Sequence, residues 1–171
     1  MKVLKISALA LATTVAAGAA SAGDWTGGYG GIELGYGDFS ASTGADDEGS
    51  VFGLTAGYDY DFGNWVMGAG IDYDWTDVTL GGTDIDNIAR LKLRAGYDVG
   101  PGLVYGTVGG ARAYTAAGDD SGWLVGVGYE HLITDNVTIG GELTYHEFDD
   151  FAGTGTDIDA TTLQLRTTFR F

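Results

Sequence analysis

Residues 51–62 read Val-Phe-Gly-Leu-Thr-Ala-Gly-Tyr-Asp-Tyr-Asp-Phe, and their order decides the fold. The even positions, Phe52, Leu54, Ala56, Tyr58, Tyr60 and Phe62, are aromatic or aliphatic. The odd ones, Val51, Gly53, Thr55, Gly57, Asp59 and Asp61, are mostly small or charged. A period of two is the mark of a β-strand with two unlike faces.

The same split recurs on both sides of this run. Ile32, Leu34 and Tyr36 alternate with Gly31, Glu33 and Gly35, and Trp65, Met67, Ala69, Ile71, Tyr73 and Trp75 with Val66, Gly68, Gly70, Asp72 and Asp74. Leu91, Leu93, Ala95 and Tyr97 alternate with Arg90, Lys92, Arg94 and Gly96. Trp123, Val125, Val127 and Tyr129 alternate with Leu124, Gly126, Gly128 and Glu130. Val137, Ile139, Leu143 and Tyr145 oppose Thr138, Gly140, Glu142 and Thr144, and Leu163, Leu165, Phe169 and Phe171 oppose Thr162, Gln164, Arg166 and Arg170. Leu103–Tyr114 is the least clear run, because Val104 and Val108 share the face of Arg112. Eight strands are expected.

Three connections are tight turns of turn-forming residues: Gly63-Asn64, Gly100-Pro101-Gly102 and Thr134-Asp135-Asn136. Four others, at residues 38–50, 76–87, 115–122 and 149–157, read as longer loops rich in Gly and Asp. Short and long connections in alternation describe an all-β, eight-stranded, antiparallel up-and-down transmembrane β-barrel. A soluble barrel would keep its large apolar residues inside. Here the charged face also carries most of the strand glycines, Gly106 and Gly110 among them, and such a face cannot form a dry core. It can line a narrow lumen in which small residues leave room for long charged ones. Most aromatics, Tyr105 among them, then face lipid near the strand ends, as interfacial girdles do.

Residues 1–22 have the parts of a secretory signal peptide: Lys2 and Lys5, an apolar stretch from Ile6 to Ala17, and the small residues Ala20-Ser21-Ala22. That stretch is shorter than the ~20 residues a spanning helix needs. The expected organisation is a signal peptide over 1–22 and the barrel over 23–171, with no periplasmic domain after the last strand. Beyond the leader there are 24 acids against six bases, which excludes a nucleic-acid binder. The absence of cysteine leaves no disulfide framework, thiolate metal site or lipid-anchored cysteine.

All six of those bases, Arg90, Lys92, Arg94, Arg112, Arg166 and Arg170, are assigned to the lumen side. Buried charges need partners, so a lumen ion-pair network is expected of Glu33, Asp72, Asp74, Arg90, Lys92, Arg94, Arg112, Glu130, Glu142 and Arg166. Counting from the turn at Pro101 places Arg90 opposite Arg112, with Asp72 as the acid between them. A gated pore is the functional alternative. A barrel of about eight strands has room only for side chains, which favours a plug.

Trp25-Thr26-Gly27-Gly28-Tyr29-Gly30-Gly31-Ile32-Glu33-Leu34-Gly35-Tyr36-Gly37 resembles the opening strand of the small outer-membrane barrels related to opacity surface antigens, often called porin-family proteins. Gly122–Glu130 and Gly141–Tyr145 resemble the sixth and seventh strands of that family. The terminal run ending in Phe169 and Phe171 looks like the C-terminal assembly signal of bacterial outer-membrane barrels. The resemblance implies an OmpA/OmpX-type barrel in the outer membrane of a Gram-negative bacterium. Lipid, lipopolysaccharide and the barrel assembly machinery are its implied partners, and a monomer is expected.

The family has no single activity. A non-enzymatic structural or surface role, in envelope integrity or an adhesion-like contact, is the leading expectation. A small channel or apolar-solute carrier and a lipid A-modifying enzyme are the alternatives. For the enzyme, His146 lacks a local serine, although Ser121 could approach it in space. His131 lies at a turn. The acidic stretches Asp46-Asp47-Glu48, Asp119-Asp120 and Asp149-Asp150 lack an EF-hand pattern, so no metal or cofactor is expected. Gly-Thr-Asp-Ile-Asp, at Gly82–Asp86 and again at Gly155–Asp159, is read as two equivalent strand entries.

Overall fold

Alternation over eight runs closes into a ring. The computed structural model describes residues 24–44, 46–80, 83–115, 118–148 and 157–171. Its strands are β1 (Gly27–Ala41), β2 (Asp46–Asp61), β3 (Trp65–Leu80), β4 (Thr83–Asp98), β5 (Gly102–Thr115), β6 (Gly118–Thr134), β7 (Val137–Phe148) and β8 (Ile158–Arg170). Each strand pairs antiparallel with the next and β8 pairs with β1, so the sheet is a closed eight-stranded barrel without edges. The leader expected over 1–22 lies outside the described residues, as does the Asp149-Asp150 pair.

The faces divide as the alternation requires. Ile32, Leu34, Leu91, Leu93, Leu163 and Leu165 are exposed, while Glu33, Asp72, Lys92, Arg94 and Arg166 are buried. Exposed apolar side chains form a continuous belt, which a membrane rather than water would solvate. Aromatic pairs bind neighbouring strands near both rims: Trp65 meets Tyr97 edge-on at 5.3 Å, and Phe52 stacks on Trp75 at 5.7 Å.

The barrel differs from the sequence-based expectation in two respects. Three connections expected to be long loops are short, because the strands run on past the belt. β1 continues to Ala41 and β2 begins at Asp46, so Asp46-Asp47-Glu48 is strand. Asp119-Asp120 likewise lies in β6, and residues 76–80 belong to β3. Acidic residues suggest loops by composition, but a strand that emerges into water can carry them on its outward face.

The second correction concerns β5, whose faces are the reverse of those expected. Val104, Gly106, Val108, Gly110 and Arg112 point outward, whereas Leu103, Tyr105, Thr107, Ala111 and Ala113 are buried. Arg90 pairs with Ala111, and Arg112 with Ala89. The expected Arg90–Arg112 opposition was therefore off by one residue, and a slip of one turns every side chain of a strand to the other face.

Both copies of Gly-Thr-Asp-Ile-Asp sit at a strand start, as far as they are described. Ile85 and Ile158 point inward and join one buried apolar cluster. β-Bulges at Trp75/Val78 and Ile85/Asn87 shift the alternation there, so Ile85 and Ile88 share the inner face.

Candidate functional site

The lumen is layered. At the short-turn end Trp25, which precedes β1, folds under the barrel and packs with Val66, Leu103 and Tyr105. At the opposite end Phe39, Val78, Ile85, Ile88, Leu124, Phe148 and Ile158, with three alanines, form a second apolar cluster. Between these two layers lie the charges.

Nearest the turns, Arg94 donates from Nε to Asp59 Oδ1 at 2.7 Å and from Nη1 to Glu130 Oε1 at 3.3 Å. Arg170 Nη2 reaches Asp59 Oδ2 at 2.9 Å. In the middle, Arg166 is shared by three carboxylates: Glu33 at 2.6 Å, Glu142 at 2.9 Å and Glu130 at 3.6 Å. Lys92 bridges Asp72 at 2.5 Å and Glu142 at 2.8 Å. Further along, Arg90 pairs with Asp74 and donates to Gln164 Oε1 at 2.7 Å; Asp72 is 3.9 Å away. Asp74, not Asp72, is therefore the main partner of Arg90. The register sets Asp72 directly opposite Arg90 and Asp74 opposite Ile88, but Lys92, opposite Gly70, reaches along the barrel to take Asp72, and Arg90 leans the same way to Asp74.

The structure thus brings together Glu33, Asp72, Asp74, Arg90, Lys92, Arg94, Glu130, Glu142 and Arg166. It leaves out Arg112. That side chain is 54% exposed and pairs outside the barrel with Asp119 at 3.2 Å. The inward rule for bases applies only inside the lipid belt; beyond it, water solvates an outward arginine.

Tyr105 was expected on the lipid face. Its hydroxyl instead donates to Glu142 at 2.9 Å, and its ring lies 5.0 Å from the Arg94 guanidinium and 5.9 Å from that of Arg166. Together with Trp25 and Tyr29 it builds a column in which rings and guanidinium groups alternate. Arg170 lies 5.0 Å from Trp25 and 5.5 Å from Tyr29, and Arg94 lies 4.9 Å from Tyr29. Such contacts are worth about 0.5–2 kcal/mol each. Sequence reasoning missed this column, because aromatics were sorted by hydrophobicity and not by the polar tip that a tyrosine can use indoors. It also missed Gln164, whose amide reaches Glu33 and Asp74 at 3.3 Å each.

Inward glycines supply clearance. A Cβ on Gly57 or Gly70 would lie within 2.6 Å of the Tyr29 hydroxyl oxygen, and one on Gly128 would lie 2.3 Å from the Tyr105 ring.

His146 is fully buried under the apolar cluster, parallel to Phe148 at 6.5 Å. Ser121 is exposed on the outer face of β6. The two therefore lie on opposite sides of the wall. His131 meets the Tyr129 hydroxyl at 3.0 Å near a turn. Among the described residues no group of three or more His, Asp or Glu side chains is placed to hold a metal ion.

Phe169 and Phe171 point outward at the end of β8. Phe171 exchanges two backbone hydrogen bonds with Gly28, at 3.0 and 2.9 Å, so the last residue helps close the ring.

Comparison with known proteins agrees with this geometry. The family profile described as outer membrane protein beta-barrel domain matches residues 7–171. A 22 kDa outer membrane protein of Rhizobium leguminosarum bv. viciae is 32% identical over 145 residues, which span 74% of this chain and 66% of that protein. A 25 kDa outer-membrane immunogenic protein of Brucella abortus is 32% identical over 152 residues, 76% of this chain and 70% of that one. Among solved structures, Neisserial surface protein A covers 85% of this chain and 98% of its own at a TM-score of 0.64 and 18% identity. Ail, the attachment invasion locus protein of Yersinia pestis, covers 85% and 99% at 0.55 and 17%. These two show a shared fold. The chain belongs to the outer-membrane β-barrel family and is an integral outer-membrane protein of the Gram-negative type.

Proposed function

We propose that this barrel is a non-enzymatic and non-conducting outer-membrane protein with a structural or surface role. The observation that carries the reading is the filled lumen: an ion-paired middle between two apolar layers. Ions crossing such a lumen would have to displace buried pairs and wet both apolar ends, each of which is costly. A serine–histidine nucleophile finds no support, since His146 and Ser121 are separated by the barrel wall. The name of the Brucella relatives, an immunogenic outer-membrane protein, supports display at the surface.

A Yersinia Ail structure was solved in complex with the heparin analogue sucrose octasulfate. This barrel does not suit such a ligand. The loop end of this barrel is acidic on its outer face, with Asp38, Asp46, Glu48, Asp77, Asp86, Asp119, Glu147 and Asp159 against Arg112. A sulfated polyanion would be repelled there.

In this reading the short turns and the termini face the periplasm, and the acidic end faces outward. A cysteine replacing Asp47 or Asp119 should react with a membrane-impermeant label on whole cells, and one replacing Asn64 should not. The reverse pattern would invert the topology. The belt takes lipid and lipopolysaccharide, a ring without edges suits a monomer, and the terminal strand with Phe169 and Phe171 engages the assembly machinery. Phe171→Asp is expected to leave exported but unassembled protein that lacks the heat-modifiable gel shift of a folded barrel. An unchanged shift would show that the terminal aromatic is not needed.

A further inference from the structure

Among the described residues the lumen contains one carboxylate more than it has cations. Every base after the leader is accounted for: Arg112 is outside, leaving Arg90, Lys92, Arg94, Arg166 and Arg170. Six buried acids face them: Glu33, Asp59, Asp72, Asp74, Glu130 and Glu142. Asp98 is at the turn, where its carboxylate accepts from the Gly100 backbone at 2.6 Å, and takes no part in the network. An uncompensated carboxylate inside a barrel surrounded by hydrocarbon is costly enough that it takes up a proton instead.

The distances locate the excess. Arg170 and Arg94 hold Asp59, and Arg94 also reaches Glu130. Lys92 holds Asp72, and Arg90 holds Asp74. Arg166 alone remains for three glutamates. Glu142 has Lys92 as a second cation, with hydrogen bonds from Tyr105 at 2.9 Å and Thr144 at 3.1 Å. Glu130 has Arg94. Glu33 has Arg166 at 2.6 Å, which it shares with the other two glutamates, and the Gln164 amide at 3.3 Å, but no second cation.

We propose that Glu33 is a proton-binding site of the folded barrel, carrying a carboxylic acid proton at neutral pH that it releases when the barrel unfolds. The charged groups around Glu33 are those already named. β8 presents Arg166 and Gln164, β3 presents Asp72 and Asp74, β4 presents Arg90 and Lys92, and across the lumen stand Glu130 and Glu142. β2 faces it with Gly53 and Thr55, and its inward acid Asp59 is held by two arginines. Among the described residues of the lumen, His146 is the other group that could supply a positive charge. It lies under the apolar cluster, parallel to the Phe148 ring.

The sign follows from linkage. In the unfolded chain a glutamate ionises at about 4.3, so above that pH the folded state binds one proton more. Unfolding then becomes easier by about tenfold per pH unit, until the folded-state acid itself ionises. The test is reversible urea unfolding of the refolded full chain at pH 5, 6 and 7, for wild type and Glu33→Gln. The amide mimics the protonated acid, and the other titrating groups cancel in the comparison. The ratio of unfolding constants, wild type over variant, is expected to rise about tenfold per pH unit; a flat ratio overturns the proposal.

Infrared spectroscopy gives a second reading. Folded wild type at pH 7 should show the carbonyl stretch of a protonated carboxylic acid, shifted by 13C-labelled glutamate and absent from Glu33→Gln. A band that survives in the variant moves the proton to another residue and refutes the assignment. No band in the wild type means that His146 or a bound alkali cation balances the charge, which also refutes it. If the glutamine variant does not refold, Glu33→Asp takes its place: its acid band should no longer shift with 13C-labelled glutamate, and a band that still shifts refutes the assignment.

Discussion

Arg94→Ala is expected to lower the unfolding free energy of the barrel by about 3–5 kcal/mol, the range for breaking a buried ion pair. It should be the most damaging of the lumen truncations. Arg94 uses its whole fork, on Asp59 from Nε and Nη2 and on Glu130 from Nη1 and Nη2. Its guanidinium also lies between the rings of Tyr29 and Tyr105. Removing it strands Glu130 on a 3.6 Å contact with Arg166, which is already shared by two other glutamates. Lysine would not substitute, because a point charge can neither bridge two carboxylates through a planar fork nor stack as well on a ring. Urea unfolding of the refolded protein measures the loss. A double-mutant cycle with Asp59→Asn should show coupling above about 1 kcal/mol. Additive effects would mean that the pairing is wrong.

A valine at Gly128 is expected to prevent folding, whereas a valine at Gly106 should be tolerated. The two glycines lie on neighbouring strands close together, since Gly128 pairs with Tyr105. Their surroundings differ completely. A Cβ at Gly128 would lie 2.3 Å from the Tyr105 ring, which is wedged between Arg94 and Arg166 and bonded to Glu142. Overpacking of a core costs about 1–3 kcal/mol when neighbours can shift. Here the shift would also break the Tyr105 hydrogen bond and expose three charges, so the loss exceeds that range. At Gly106 the nearest atom to a Cβ is a backbone oxygen at 3.8 Å, and the side chain would point into lipid. Filling that position should even stabilise by about 0.5–1 kcal/mol, because glycine is a poor strand residue. The heat-modifiable gel shift reports both outcomes. A folded Gly128→Val beside an unfolded Gly106→Val would mean that β5 presents its other face to the lumen.

This pair of substitutions also marks where the sequence is legible. Alternation in β2, β3, β4 and β8 is strong enough to orient each strand by itself, because charges and glycines fall on one parity and large apolar residues on the other. β5 has no such contrast. Val104, Val108 and Arg112 share one parity, and Leu103, Tyr105 and Thr107 the other. Only the partners settle it: Tyr105 turns inward because Glu142 is there to accept its hydrogen bond, and Arg112 turns outward because it lies beyond the lipid belt, next to Asp119. Strand length was underestimated for a similar reason. Asp46, Glu48 and Asp77 read as loop residues by composition, yet a barrel can extend into water with polar residues outside and Val51, Val78 and Ile85 inside. The set of lumen charges was largely legible, but their pairing was not. Which acid meets which base depends on strand stagger around the ring, and a one-residue change in register reassigns them all.

Planar-bilayer recording of the refolded full barrel tests the central claim, a lumen filled by paired charges between two apolar layers. The expected record is a quiet baseline at neutral pH and moderate voltage, with no discrete steps in molar salt. The double variant Phe39→Ala, Trp25→Ala, which opens both apolar ends but leaves the ion pairs in place, should remain quiet or nearly so. Uniform single-channel steps from the wild type, growing with salt concentration and abolished by a bulky label on a cysteine placed at Thr107 in the lumen, would contradict the account.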